Sequence, residues 1–200
     1  MLISHRVSRL PLLLLLALVS AGCAPHSSLL DEGDLLFHVV AQGNHITEVT
    51  SGQIDHVAIY AGKNMVVEAI PGQGVVTTPL HELLSREDGH YLKGRVKGAD
   101  RQQSLENARQ YLGLPYDSLY LPTADAIYCS ELVQLSFVDK HGQRLLVPVP
   151  MSFHDSTGHI TAYWQQFYAR HGMDVPEGQP GTNPAELSKR QIVKILGELR

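Results

Sequence analysis

Apolar residues in this chain come in short blocks with two spacings, and the blocks predict the elements. After Gly33, the run Asp34-Leu35-Leu36-Phe37-His38-Val39-Val40 is too continuous for a half-exposed strand and reads as a buried one entered by a turn. Asn44 to Thr50 places Ile46 and Val49 on one side of one or two helical turns, ended by Ser51-Gly52. Two apolar runs, residues 54–60 and 65–70, then flank Ala61-Gly62-Lys63-Asn64 and predict a hairpin. Pro71-Gly72-Gln73-Gly74 turns the chain into a third strand at residues 75–78. Residues 79–85 predict a short helix and residues 91–96 a further strand.

Helical spacing follows. Residues 101–112 set Leu105, Ala108, Tyr111 and Leu112 on one side, with Gly113 as the stop. Beyond the loop Leu114-Pro115-Tyr116-Asp117, a second helix starts near Cys129 and carries Leu132, Val133, Leu135, Phe137 and Val138 on its apolar side. Residues 147–158 are rich in Pro, Ser and Gly, residues 160–168 fit neither period, and residues 178–183 read as loop. Asn183-Pro184 supplies a cap and first turn for a final helix with Leu187, Ile192, Ile195, Leu196 and Leu199 facing inward. Helices combined with a meandering antiparallel sheet define an α+β chain.

The first residues have a different purpose. Arg6 and Arg9 precede an almost purely apolar run, Leu10 to Val19, followed by Ser20-Ala21-Gly22-Cys23. A basic end, a short apolar core and small residues make a secretory signal. The run is about half of the ~20 residues that a bilayer span needs. Cysteine directly after Ala-Gly resembles a bacterial lipoprotein signal, in which residues 1–22 are removed and Cys23 becomes the lipidated N-terminus, carrying acyl chains such as palmitate. Ser20 stands where such signals usually have an apolar residue. Ala24 rather than Asp implies, by the same resemblance, sorting to the outer membrane. Residues 23–30 then form a tether and residues 31–200 the folded domain.

Composition adds limits. The chain has 200 residues, a net charge of −4 and no basic block, which excludes a nucleic-acid footprint. It has only two cysteines. With Cys23 lipidated, Cys129 is the single free thiol in an oxidising compartment, where such a residue is either buried and inert or reactive.

Cys129 stands at a predicted helix N-terminus, whose dipole and free N–H groups stabilise a thiolate. A base is then required. Of the histidines, His56 lies in the middle of an apolar strand, where an imidazole is costly unless paired. His56, Ala58 and Tyr60 share one strand face, and Val66, Glu68 and Ile70 share one face of the partner. A three-residue loop would set His56 directly opposite Glu68, whereas a four-residue loop would set it opposite Ala69. In the first case Glu68, as a partly exposed cleft carboxylate, orients the imidazole toward Cys129.

The ordered set "GDLLF", "IDHVAIY", "VVEA", "LGLPYD", "YCSELV" and "GTNPAEL" resembles the YaeF/YiiX group of permuted papain-like hydrolases in the NlpC-type superfamily. The resemblance runs from about Leu30 to Leu187. It implies a circularly permuted papain-like fold, with Cys129 as nucleophile, His56 as base and Glu68 as the third polar group. Tyr116 and Asp117 match the group's "YD" loop, but Ser118 replaces a common aromatic, and the loop receives no catalytic role. No Gly-x-Ser-x-Gly or Ser-x-x-Lys occurs, and His81-Glu82 lacks the second histidine of a zinc protease motif. His154 and His159 form only a weak metal pattern.

The expectation is a lipid-anchored envelope cysteine hydrolase, amidase- or peptidase-like, that needs no cofactor and no metal. Its partners are the membrane, through the lipid, and a cell-wall peptide, protein or acyl-lipid substrate. The alternatives are a lipid acyltransferase or esterase, and a catalytically silent lipoprotein that binds a peptide or lipid in the same cleft.

Overall fold

A computed structural model of the chain describes residues 30–50, 52–86 and 89–199. The signal, Cys23 and most of the tether lie outside the described residues. In chain order the elements are β1 (Leu35–Val39), β2 (Ile54–Gly62), β3 (Met65–Ile70), β4 (Gly74–Pro79), α1 (Leu80–Leu84), β5 (His90–Val96), α2 (Arg101–Gln110) and α3 (Cys129–Ser136). They continue with β6 (Val149–Pro150), α4 (Ala162–Arg170), β7 (Pro180–Gly181), α5 (Pro184–Lys189) and β8 (Val193–Leu199).

Six strands form one antiparallel sheet in the order β4-β3-β2-β1-β5-β8, and β6 and β7 pair separately. Strand alternation divides the core into two clusters. Leu35, Phe37, Val57, Ile59, Val67 and Ala69 face α2, α3 and α5. Leu36, Ala58, Tyr60 and Val66 face the other way, where Leu80 and Leu83 of α1 cover them. Both faces are covered, so the strands read as continuous apolar runs rather than as a clean alternation. A third cluster gathers Phe153, Trp164 and Tyr168 around α4, the element whose period was ambiguous in the sequence.

The β2–β3 hairpin is tighter than its loop residues imply. The strands continue to Gly62 and resume at Met65, leaving a two-residue turn in which Lys63 (φ 50°) and Asn64 (φ 58°) are both left-handed. Positive φ at both central positions is the turn whose twist suits a hairpin. Gly74 (φ 78°) opens β4 where a Cβ would collide with the Leu114 carbonyl oxygen, and Val75 N–H donates to that same oxygen at 2.9 Å. This glycine lets the Leu114–Asp117 loop lie against the sheet.

Two expectations are corrected. Residues 44–50 stop at a single capped turn: Asn44 Oδ1 accepts the N–H groups of Ile46 (3.0 Å) and Thr47 (3.1 Å) and Glu48 N–H reaches the Asn44 carbonyl at 2.9 Å, but the next N–H, of Val49, bonds back only three residues to Ile46, and no helix is propagated. The final helix does start as expected, with Asn183 Oδ1 accepting the Glu186 N–H at 2.7 Å and Pro184 behind it. It ends at Lys189, however, and the last residues become β8, paired to β5. Gly197 (φ 114°) cannot continue a helix, and the open edge of β5 offers seven residues a ladder. Ile195, expected inward, is 37% exposed.

Candidate active site

Cys129 is the first residue of α3, and Tyr128 before it is extended and supplies no side-chain cap. The first N–H groups of the helix are therefore free for a ligand. The turn is fastened from outside: the Tyr128 hydroxyl accepts the Thr182 N–H at 3.0 Å, and the Ser130 hydroxyl donates to the Thr182 carbonyl at 3.2 Å. The "GTNPAEL" segment thus braces the turn that carries Cys129. Cys129 is 5% exposed and borders a cavity walled by Tyr116, Tyr120, Met151, Phe153 and Trp164.

His56 is three residues into β2, where the pairing with β1 is irregular. His38 pairs with His56, but Val39 pairs with Ile54, so Asp55 is the extra residue of a bulge. Bulges re-aim side chains. The His56 Nε2 atom lies 2.7 Å from Glu68 Oε2, which leaves Nδ1 for the hydrogen bond to Cys129. Burial works against an imidazolium here, but hydrogen bonds and charge from Cys129 and Glu68 prevail and raise His56 to about 10. At neutral pH the group facing the sulfur is therefore a cation.

Glu68 contacts His56 by a register different from the expected one. Ile59 pairs with Val67 and Tyr60 with Val66, and extending that ladder sets Ala58 beside Glu68. His56 and Glu68 are diagonal neighbours, not direct partners. A two-residue offset keeps both on one face, so the contact survives. Glu68 is also not a partly exposed cleft residue. It is 0% exposed, and Arg86 grips it with Nη1 to Oε2 at 2.8 Å and Nη2 to Oε1 at 2.7 Å. Burial alone would raise its pKa, but the hydrogen bonds from His56, Arg86 and Thr78 bring Glu68 down to about 2. Arg86 also bonds Tyr91 from β5, and the fork fixes the carboxylate plane that fixes the imidazole.

Several contributors escape sequence reasoning. Arg86 sits in a polar stretch after α1 that looks solvated. The only signal for it was a carboxylate inside an apolar strand, which demands a cation. His38 Nδ1 pairs with Asp55 Oδ1 at 2.8 Å, and Asn44 donates to Asp55 Oδ2 at 2.7 Å, making a second polar pair beside His56. Tyr116 borders the Cys129 cavity, and burial, then the Cys129 charge, push its hydroxyl far above the usual phenol range. It is a firm donor. Asp117 instead holds the loop, accepting the N–H groups of Leu119 (2.8 Å) and Leu121 (2.6 Å) around Tyr120 at φ 53°.

A family model described as "Permuted papain-like amidase enzyme, YaeF/YiiX, C92 family" matches residues 29–196. The chain is 31% identical over 121 residues to "Uncharacterized protein YiiX" of Escherichia coli (strain K12), covering 56% of this chain and 60% of that relative, so the match spans less than two thirds of its length. The fold is similar to the crystal structure titled metalloprotein yiiX from Escherichia coli O157:H7, with a TM-score of 0.66 and 22% identity over 84% of this chain and 96% of that one. Among the described residues, no group of three or more His, Cys, Asp or Glu side chains is arranged to hold a metal ion. The cysteine at a helix start, the strand histidine preceding it in sequence and the match across residues 29–196 agree, and the chain belongs to the YaeF/YiiX family of permuted papain-like amidases.

Proposed function

We propose that this chain is a lipid-anchored cysteine hydrolase of the bacterial envelope that cleaves an amide through a Cys129 acyl-enzyme. The observation that carries the reading is the line Cys129–His56–Glu68–Arg86, in which a helix-start thiol meets an imidazole locked by a fully buried, doubly gripped carboxylate.

The Cys129 sulfur, as thiolate, adds to the substrate carbonyl carbon. The oxyanion is taken up by the Cys129 N–H at the open helix end and by a second donor from the cavity wall. His56 gives its proton to the departing amine as the C–N bond breaks, leaving a thioester. Neutral His56 then takes a proton from water, the hydroxide adds to the thioester, and collapse expels the Cys129 thiolate and the acid product. Glu68 holds the ring and balances its charge throughout, and no cofactor takes part.

The apolar wall around Cys129 suits a substrate whose acyl side is uncharged. The anchoring reading rests on Cys23 after the short apolar run. Among the described residues, no helix is long and apolar enough to cross a membrane.

The test compares the purified mature chain with its Cys129→Ala form on three substrate classes: cell-wall peptides, protein and acyl-lipids. Turnover of one class by the first form and not by the second is expected. Equal behaviour of the two on all three would leave only the silent binding lipoprotein.

A further inference from the structure

Glu131 is the third residue of α3 and shares its first turn with Cys129. It is 8% exposed, its Oε2 has no hydrogen-bond partner, and the Tyr128 N–H approaches its carboxyl group. A glutamate in this place reaches back to the cap residue and secures the turn. The reaction proposed above puts negative charge at the same helix end, on the sulfur and then on the oxyanion. An ionised Glu131 places a fixed negative charge in the same first turn and opposes both charges.

The groups facing Glu131 do not neutralise it. Asp117, from the loop before α3, adds repulsion. Its own turn offers the Tyr128 N–H. Tyr111 at the end of α2 and Arg144 after α3 border the same surface cavity, without a hydrogen bond to Oε2. Burial first, then Asp117, push Glu131 up to about 7. Asp117 is itself raised, chiefly by burial, so neither carboxyl relieves the other.

We infer that Glu131 is a positioning residue of the proposed hydrolase, holding the Tyr128–Cys129 turn in its neutral form and withdrawing the helix's positive end from sulfur and oxyanion when it ionises. This inference rests on the cysteine-hydrolase reading. Catalysis therefore weakens as pH rises through neutrality. No step of bond making changes.

The test uses the mature chain and p-nitrophenyl acetate as an acyl donor to Cys129, with release of p-nitrophenolate followed at pH 6 and pH 8. Glu131→Gln keeps the shape and an acceptor oxygen but cannot ionise. Its pH 8 to pH 6 rate ratio is expected to exceed wild type's by at least threefold, with pH 6 rates alike. Glu131→Ala loses the anchor and is expected to slow acylation at both pH values. A Glu131→Gln ratio within 1.5-fold of wild type, with Cys129 still acylated, overturns the inference. Absence of Cys129 acylation in the wild-type chain instead overturns the hydrolase reading and this inference with it.

Discussion

Replacing Glu68 by Gln removes one charge from a group that is 0% exposed and leaves its volume unchanged. The structure sets the size of the effect. Glu68 moves from an ordinary 4.5 to about 2 on folding. At 1.36 kcal/mol per pH unit, that displacement corresponds to about 3 kcal/mol of stability. Gln accepts one hydrogen bond, but it leaves the Arg86 and His56 cations without a counter-charge, and breaking such a buried pair typically destabilises by ~3–5 kcal/mol. Arg86 is partly solvated, which relieves some of that, so the expected loss is about 2–4 kcal/mol at pH 7. Urea unfolding followed by far-UV circular dichroism measures it as a lower midpoint at unchanged slope. The pH dependence has a definite sign. A depressed carboxylate stabilises fully above its unfolded value, so the gap between wild type and Glu68→Gln is present above pH 4.5 and closes as pH falls toward 2. A gap below 0.5 kcal/mol at pH 7, or one that widens in acid, refutes the buried ion network.

Two further outcomes follow from the same geometry. Iodoacetamide is expected to alkylate Cys129 in the native protein, and His56→Ala to slow this about tenfold or more at pH 7 by removing the imidazolium; a thiol that reacts only in denaturant would be a core residue. Because His56 is raised to about 10, its contribution to stability is full below pH 6.5 and fades as pH rises through 10. Cys23→Ala is expected to move the protein from the membrane fraction to the soluble one; unchanged retention would refute the lipid anchor.

The sequence made the strands of the hairpin, the helix starting at Cys129 and the trio Cys129, His56 and Glu68 legible. In each, a local pattern and a chemical demand coincide. The hairpin register was less accessible, because it depends on two local features together: left-handed backbone at Lys63 and Asn64, and an irregularity between Tyr60 and Gly62 that shifts the pairing by one residue and returns Glu68 to the face of His56. Only parity needed to be right for Glu68, since any even offset leaves it on the face of His56. The last segment misled because Val193, Ile195 and Leu199 fit alternation as well as helical spacing, and the vacant edge of β5 decided between them. Arg86 and Glu131 stayed hidden for a common reason. A charged side chain on its own reads as solvated, and only the three-dimensional burial of their surroundings gives these two work.

The second core cluster has a consequence for how the family's chains are ordered. Leu30, where the described fold begins, and Leu199, where it ends, are both buried in that cluster, beside Tyr91. The fold is thus nearly a closed ring of chain, with its opening sealed by apolar contact on the face away from α2, α3 and α5. A ring can be cut elsewhere without moving its parts. Bridging Leu30 to Leu199 with a short flexible linker and opening the exposed turn at Gly98 would place α3 ahead of β2 in sequence, cysteine before histidine, while the thiol, imidazole and carboxylate keep their present positions.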